Sequence, residues 1–263
     1  GYLNKLLIGS MGQCKKSGLH LILEVANEGD VAAAEELTDF VNKPDLAGVI
    51  LAPPISDYLK VIAVLRDAEV PYVRIAPDNC LENTPAVCLD DYTAAFEMTR
   101  YLIDLGHKDI GFIAGQAEHK STVERLKGYK EALKANGIDV NEHLIIDGEY
   151  SFESGVHGAK QLMAEDIRPT AIFSCNDEIA AGALFAARLM NISIPEQLSI
   201  VGFENSPFSR QTWPKLTTAD QPNNEIAEDA ANLLISQVRK QKNQPTISKY
   251  VPKLIVRDST AQY

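Results

Sequence analysis

The sequence predicts an α/β fold built on parallel sheets. Apolar runs rich in β-branched residues, the pattern of strands buried on both faces, alternate with amphipathic helical stretches along most of the chain. Hydrophobic residues make up 45% of the 263 residues, which is enough for one large core or two smaller ones. The predicted strands are LHLILEV (19–25), AGVILA (47–52), PYVRIA (71–76), AVCLD (86–90), DIGFIAG (109–115), HLIIDG (143–148), TAIFSC (170–175) and LSIVGF (198–203).

The predicted helices lie between these strands, and several are closed by Gly or followed by Pro. The helical spacing of Leu3, Leu6, Leu7 and Met11 predicts that the chain opens on a helix. Doubly wound sheets normally begin with a strand, so we expect a strand ahead of the first residue. After residue 204 the sequence predicts LTTADQ (216–221) as extended, a helix over about 223–240 and a final extended stretch, KYVPKLIVRDST (249–260).

The composition excludes several classes of protein. The formal net charge of −11 and the pI near 5.0 disfavour a nucleic-acid surface within this chain, because phosphate binding requires clustered Lys and Arg. No stretch approaches the roughly 18 to 20 apolar residues of a membrane helix, and no signal peptide is visible. The cysteines Cys14, Cys80, Cys88 and Cys175 show no CxxC spacing and are interpreted as buried free thiols of a reducing compartment, although one bridge stays open. We therefore expect a cytoplasmic protein without membrane association.

Enzyme signatures are missing from the sequence. It contains no HExxH, GxSxG, Walker or GxGxxG motif, and its five histidines form no close cluster. We therefore predict no catalysis, no cofactor and no metal. A hydrolase or isomerase that uses paired acids stays as a minor hypothesis, since paired carboxylates can do acid/base work.

Polar side chains follow several predicted strands at the point where each strand ends. Because the carboxyl ends of parallel strands share one edge of a sheet, these side chains are predicted to converge there. Carboxylates, amides, a guanidinium and aromatic rings together suit a sugar or another polyhydroxylated molecule. Taken singly, each residue has another explanation as a helix cap, a surface ion pair or a core ring. The residues are Asp90 and Asp91, Arg125, Tyr150 and Phe152, Asn176 and Asp177, and Glu204 and Asn205.

Motifs in a fixed order resemble the effector-binding core of LacI/GalR-type bacterial transcriptional repressors. The resemblance covers nearly the whole chain, and the last three motifs carry its specificity. The motifs are LAGVIL (46–51), DLGHKDIGFIAG (104–115), ERLKGYKEAL (124–133), PTAIFSCNDEIAAGAL (169–184), IPEQLSIVGFEN (194–205) and PKLTTADQP (214–222).

The resemblance implies a two-lobed periplasmic-binding-protein-like type I fold, each lobe a doubly wound parallel sheet flanked by helices, with the effector in the cleft. The expected lobes are 1–89 plus 222–249, and 90–221 plus 250–263. Such repressors are homodimers that bind operator DNA through an amino-terminal helix-turn-helix and hinge helix, both absent from this chain. The acidic charge is consistent with that absence.

The resemblance also implies roles for individual residues. Arg125 grips the effector, Asn176 faces it while Asp177 caps the helix, and Tyr150 stacks on it. Further contacts are expected from Asp90, Ser121, Gln221 and, in the amino-terminal loop, Tyr2. The family usually has Asp where this chain has Glu204, whose extra methylene moves the carboxylate by ~1.5 Å. We therefore expect an effector that differs in shape from the common hexoses.

The leading hypothesis is the effector-sensing core of a LacI-family regulator, with a sugar or related polyol as effector. The alternative is an exported periplasmic sugar-binding protein of a transporter, which requires a signal peptide upstream and is ordinarily a monomer. The unpaired cysteines and the LTT motif followed by QP favour the regulator.

Overall fold

The chain folds into two compact units in a computed structural model that describes residues 2–27, 29–43, 45–78, 80, 84–241 and 246–263. Unit 1 comprises Gly1–Leu89 and Pro222–Tyr250, and unit 2 comprises Asp90–Gln221 and Val251–Tyr263. Each unit has its own sheet with helices packed on it, so the predicted α/β class is confirmed.

The observed helices and strands follow the predicted alternation. The helices are α1 (Tyr2–Lys16), α2 (Asp30–Val41), α3 (Leu59–Asp67), α4 (Asp91–Asp104), α5 (Lys120–Ala135), α6 (Phe152–Ala164), α7 (Asp177–Leu189), α8 (Phe208–Gln211) and α9 (Asn223–Val238). The strands are β1 (Val49–Leu51), β2 (Tyr72–Ile75), β3 (Ala86–Leu89), β4 (Ile110–Ile113), β5 (Ile145–Ile146), β6 (Ala171–Ser174), β7 (Ser199–Phe203), β8 (Thr217–Asp220), β9 (Ile247–Tyr250) and β10 (Lys253–Ile255).

Unit 1 contains a four-stranded parallel sheet in the order β1-β2-β3-β9. Helices α1 and α9 pack together, and one apolar cluster joins them to the sheet through Leu6, Val73 and Ile226. A second cluster joins α2 and α3 to β1 through Ala33, Leu51 and Val61. Each helix therefore buries one apolar face, as its periodic sequence predicts.

The predicted strand over residues 19–25 is wrong. In the described part of unit 1 this segment belongs to no helix or strand, and Ile22, Leu23 and Val25 are exposed by 69%, 51% and 85%. A strand is stable only when a neighbouring backbone completes its hydrogen-bond ladder. Apolar composition predicts extended backbone but does not supply that neighbour.

Two of the cysteines form a disulfide, which corrects the interpretation of all four as free thiols. Cys80 bonds to Cys88 of β3, with their Cα atoms 6.2 Å apart. Cys14 and Cys175 are free and buried, as predicted. The sequence separation of eight residues carries no spacing signal that distinguishes such a bond.

Unit 2 contains a six-stranded sheet in the order β10-β8-β7-β6-β4-β5. All its pairs are parallel except β10 with β8, so this sheet has one antiparallel edge that the sequence pattern did not predict. From β4 the chain first adds β5 on one side and then crosses to β6 on the other. The loops after β4 and β6 diverge at this reversal, which is where open α/β sheets bind ligands.

Helices α6 and α7 of unit 2 cross at very close range. A Cβ atom added to Gly155 would collide with the carbonyl oxygen of Ile179, and one added to Gly182 would collide with that of Phe152. Glycine at both positions therefore lets the two backbones touch. Across the described residues, the helices are all too short or too polar to cross a bilayer.

Candidate functional site

Arg125 lies at the centre of a polar cluster on the carboxyl edge of the unit 2 sheet. It extends from α5, and its Nε donates to Asp91 Oδ1 at 2.9 Å while Nη1 donates to the Cys175 carbonyl at 2.7 Å. Its guanidinium also lies on the ring of Phe203, 3.7 Å from the ring centroid. One side chain thus joins the first turn of α4, the end of β6 and the end of β7.

The Arg125 and Asp91 side chains form a buried ion pair. Their side chains are only 7% and 10% exposed, and Nη2 lies 2.8 Å from Asp91 Oδ1. Burial lowers the pKa of Arg125, but the charge and hydrogen bond of Asp91, together with smaller contributions from Tyr150 and Cys175, outweigh it, so the pKa is raised and the group stays cationic. The site therefore carries a fixed cation whose charge is neutralised by its own partner.

Tyr150 follows β5 in the sequence and packs beside the Arg125–Asp91 pair. Its ring lies against Gly115, where an added Cβ would be 2.5 Å from the ring. Its hydroxyl is 3.0 Å from Ser121 Oγ and 2.8 Å from Thr122 Oγ1. Burial and the Cys175 thiol raise the Tyr150 pKa, while Arg125 and the two hydroxyls lower it in part, so the phenol is neutral at pH 7. A neutral phenol can both donate and accept a hydrogen bond.

Asn176 and Asp177 divide their roles differently from the prediction. Asn176 caps α7, since its Oδ1 accepts from the Ile179 N–H at 2.8 Å. The predicted capping role of Asp177 is therefore wrong: its carboxylate accepts from the Ser206 N–H and from Thr218 Oγ1, each at 2.6 Å. Asn176 remains at the same edge and is 7% exposed.

Glu204 directly follows β7, and Gln221 directly follows β8, at the same edge of the sheet. The Glu204 N–H donates to the Ala219 carbonyl at 2.8 Å, which ties the residue to β8. Its backbone has a φ of 91°, a region that residues other than Gly rarely adopt. Gln221 lies just after β8 and is 5% exposed. Both residues thus lie at the edge that carries Arg125.

The remaining predicted contact residues are placed differently. Asp90 caps α4, accepting from the Thr93 N–H at 2.9 Å, as the capping alternative expects. The Phe152 ring packs on Phe185 of α7, with centroids 5.6 Å apart, so this aromatic contributes to helix packing. Tyr2 lies in α1 and packs against the apolar cluster of unit 1.

A cavity of about 230 Å³ lies at the opposite, amino edge of the unit 2 sheet, between the start of β4, α5 and the segment before β5. Its apolar lining includes Ile110, Leu133 and Leu144, and the Tyr129 hydroxyl donates to the Ile110 carbonyl at 2.6 Å. The predicted contact residues do not line it. Within the described ranges, no three His, Cys, Asp or Glu side chains cluster closely enough to hold a metal ion.

Comparison with known proteins decides the family. Residues 99–260 match the periplasmic binding protein-like domain. The chain belongs to this family. Its relatives identify it as a LacI/GalR-type effector-binding core: catabolite control protein A of Priestia megaterium is 34% identical over 197 residues, which cover 74% of this chain and 59% of that relative. The chain therefore spans little more than half the length of this relative.

Solved structures of LacI-type regulators superpose on this core. The transcriptional regulator CelR in complex with cellobiose has a TM-score of 0.88 at 26% identity, covering 98% of this chain and 79% of CelR. A sugar-binding transcriptional regulator of the LacI family from Escherichia coli, complexed with phosphate, has a TM-score of 0.86 at 26% identity, covering 100% of this chain and 94% of that protein.

Sequence reasoning missed three members of the cluster in this LacI/GalR-type core. Thr122 and Phe203 gave no polar signal at a strand end, and the Cys175 contribution is a backbone carbonyl. Asp91 was visible beside Asp90, but two adjacent acids do not reveal which one caps a helix and which one pairs with an arginine. Only the packing of α5 on α4 settles it.

Proposed function

We propose that this chain is the effector-sensing core of a LacI-type DNA-binding transcriptional regulator, with a sugar or related polyol as effector. The observation that carries the proposal is the cluster around Arg125, which combines a buried cation, a neutral phenol, hydroxyls and carboxylates at the switch point of a parallel sheet. Relatives named as regulators, one of them in complex with cellobiose, support it.

The proposed mechanism is a shift between states of the core. An effector at this edge would favour the state in which it makes better contacts, by no more than the difference in its affinity for the two states. That preference would change the affinity for operator DNA, which we propose is bound by a helix-turn-helix domain joined to a homodimeric core in the cytoplasm. The net charge of −11 fits a core that does not itself bind phosphates.

Thermal shift measurements test the proposal. Cellobiose, glucose, glucose 6-phosphate and adenosine are added in separate samples. A compound at about 100 times its Kd stabilises the folded state by ~2.7 kcal/mol, which raises Tm by roughly 5 to 10 °C for a domain of this size. At least one compound of the panel is expected to do so.

Matched variants locate the binding. Glu204→Gln removes one carboxylate at the proposed site without changing its size, and Glu142→Gln does the same at the exposed residue before β5. The compound that shifts wild type should bind Glu204→Gln at least about fivefold more weakly, a change of ~1 kcal/mol, and bind Glu142→Gln normally. A panel without any shift would contradict the proposed function, and equal binding by Glu204→Gln would contradict the site.

We further propose that the core is a sensor without catalytic activity. Its relatives are regulators, and the carboxylates of the cluster hold a guanidinium and backbone N–H groups. After incubation with the protein, chromatography should recover each compound of the panel unchanged. Conversion of any of them would favour the hydrolase or isomerase hypothesis.

A further inference from the structure

Asp177 connects three elements of unit 2 from a fully buried position. It is the first residue of α7 and has 0% exposure. One carboxylate oxygen accepts from the Ser206 N–H in the loop after β7, and the other accepts from Thr218 Oγ1 in β8. The backbone of Gly202 lies so close that an added Cβ would collide with Oδ1. The carboxylate therefore joins α7 to both neighbouring strands.

The loop joined in this way has strained backbone. Glu204 has a φ of 91°, and such conformations cost about 1 to 3 kcal/mol for residues with a side chain, whereas Asn205, with a φ of 50°, belongs to a residue type that adopts the left-handed region readily. Strained conformations persist only when surrounding contacts hold them. The Ser206 N–H, bonded to Asp177, lies just after the strained position of Glu204. Release of this bond would let the backbone of Glu204 relax.

Contacts of its side chain also hold Asn205 in the middle of the loop. Its Nδ2 donates to Asp220 Oδ1 at 2.8 Å, and its Oδ1 accepts from Arg257 Nη2 at 2.6 Å. These contacts act on the side chain of Asn205.

The backbone of the loop is held by three bonds: the Glu204 N–H donates to the Ala219 carbonyl at 2.8 Å, the Asn205 N–H donates to Thr218 Oγ1 at 3.4 Å, and the Ser206 N–H donates to Asp177. Asp177 is the charged acceptor among them and also accepts from the Thr218 hydroxyl, so a change in its charge acts on the loop backbone both directly and through Thr218.

We propose that Asp177 is a positioning residue for the effector site: its ionised carboxylate holds the loop after β7 in the strained conformation that presents Glu204. Removal of the charge loosens this loop and weakens effector binding. The second step rests on the proposed function, whereas the first concerns only the folded chain.

The carboxyl group of Asp177 changes its charge in a mildly acidic pH range. Burial raises its pKa to about 6, although the bonds from Thr218 and Ser206 and the charge of Arg257 oppose the shift. Arg257 approaches from the segment after β10, and Arg210, Asp220 and Asp258 surround it. Asp177 is thus mostly ionised at pH 7 and gains a proton as the pH falls through about 6.

Protonation has opposite effects on the loop and on global stability. A hydrogen bond to a charged acceptor is roughly twice as strong as one to a neutral acceptor, so the bond from the Ser206 N–H weakens in acid. The folded pKa lies above the value of 3.8 for an unperturbed Asp. The contribution of Asp177 to global stability is therefore fully present below that value and is lost as the pH rises through about 6. Acidification below pH 6 should loosen the loop without unfolding the unit.

Amide hydrogen exchange measured by NMR tests the first step without any ligand. After correction for intrinsic exchange, the protection factor of the wild-type Ser206 amide should fall at least about tenfold between pH 7 and pH 5, with a midpoint near the Asp177 pKa of about 6. Asp177→Asn keeps the shape and one acceptor oxygen, and its Ser206 amide should show low protection at both pH values. Asp109→Asn, an exposed acid just before β4, should behave like wild type. A flat wild-type profile, or wild-type protection in Asp177→Asn, would overturn the inference.

Binding measurements test the second step with the neutral probes cellobiose and glucose. A probe that binds wild type at pH 7.5 should bind at least about fivefold more weakly at pH 5, and it should bind Asp177→Asn weakly at both pH values. If neither probe binds at any pH, the proposed function is contradicted for these sugars while the exchange data still decide the role of Asp177. If a probe binds with no pH step, the positioning role is wrong and the proposed function stands.

Discussion

Replacement of Arg125 by Met should destabilise unit 2 strongly. The substitution leaves the Asp91 carboxylate, whose side chain is 10% exposed, without its cation, and it removes the donor to the Cys175 carbonyl. Loss of one partner from a buried ion pair typically costs about 3 to 5 kcal/mol. With an m-value near 3 kcal/mol/M for a chain of this size, the urea midpoint should fall by about 1 to 2 M.

Urea titration followed by circular dichroism measures this change, and hydrogen exchange of unit 2 peptides confirms which unit unfolds. Arg100→Ala serves as the control because Arg100 pairs with Glu97 on an exposed helix face, and such pairs contribute less than ~1 kcal/mol. The double variant Asp91→Leu with Arg125→Met should recover most of the loss, since no unpaired charge remains. If Arg125→Met shifts the midpoint no more than Arg100→Ala does, the buried pair does not have the importance assigned to it.

Four other substitutions, one of them a control, have expected outcomes that denaturant titration can check. Asn176→Ala removes the cap of α7 and should cost about 1 kcal/mol, and an unchanged midpoint would exclude the cap. Gly155→Ala forces a Cβ into the Ile179 carbonyl and should lower the free energy of unfolding by well over 1 kcal/mol. The control Gly12→Ala lies in open space in α1 and should raise the free energy of unfolding by up to about 1 kcal/mol. Equal effects of the two substitutions would contradict the close crossing of α6 and α7. Tyr150→Phe loses the bonds to two hydroxyls of α5 and should cost about 1 to 2 kcal/mol, and a neutral result would show that those bonds form equally with water.

The sequence predicted the alternation of elements well because buried parallel strands have a strong local signature. It failed at residues 19–25, where the same apolar composition occurs without a partner strand. Pairing is a long-range property, and no local pattern contains it. The antiparallel β10 was missed for the same reason, since its direction is set by the path of the chain past β8.

At the candidate site, the sequence predicted the polar residues at the sheet edge, but not which of two adjacent residues caps a helix and which one bonds to another element. In both Asp90–Asp91 and Asn176–Asp177, the first residue caps the following helix and the second bonds to another element. Either order is compatible with cap preferences, because Asp and Asn are equally good caps.

Arg125 both stabilises the fold of unit 2 and belongs to the candidate site. This combination restricts how the binding preference of this core could change during evolution. A group that holds α4, β6 and β7 together cannot be exchanged alone without loss of folded protein, so selection on the ligand cannot act freely on it. Paralogues with new ligands should therefore retain the arginine and diversify in the loops around it.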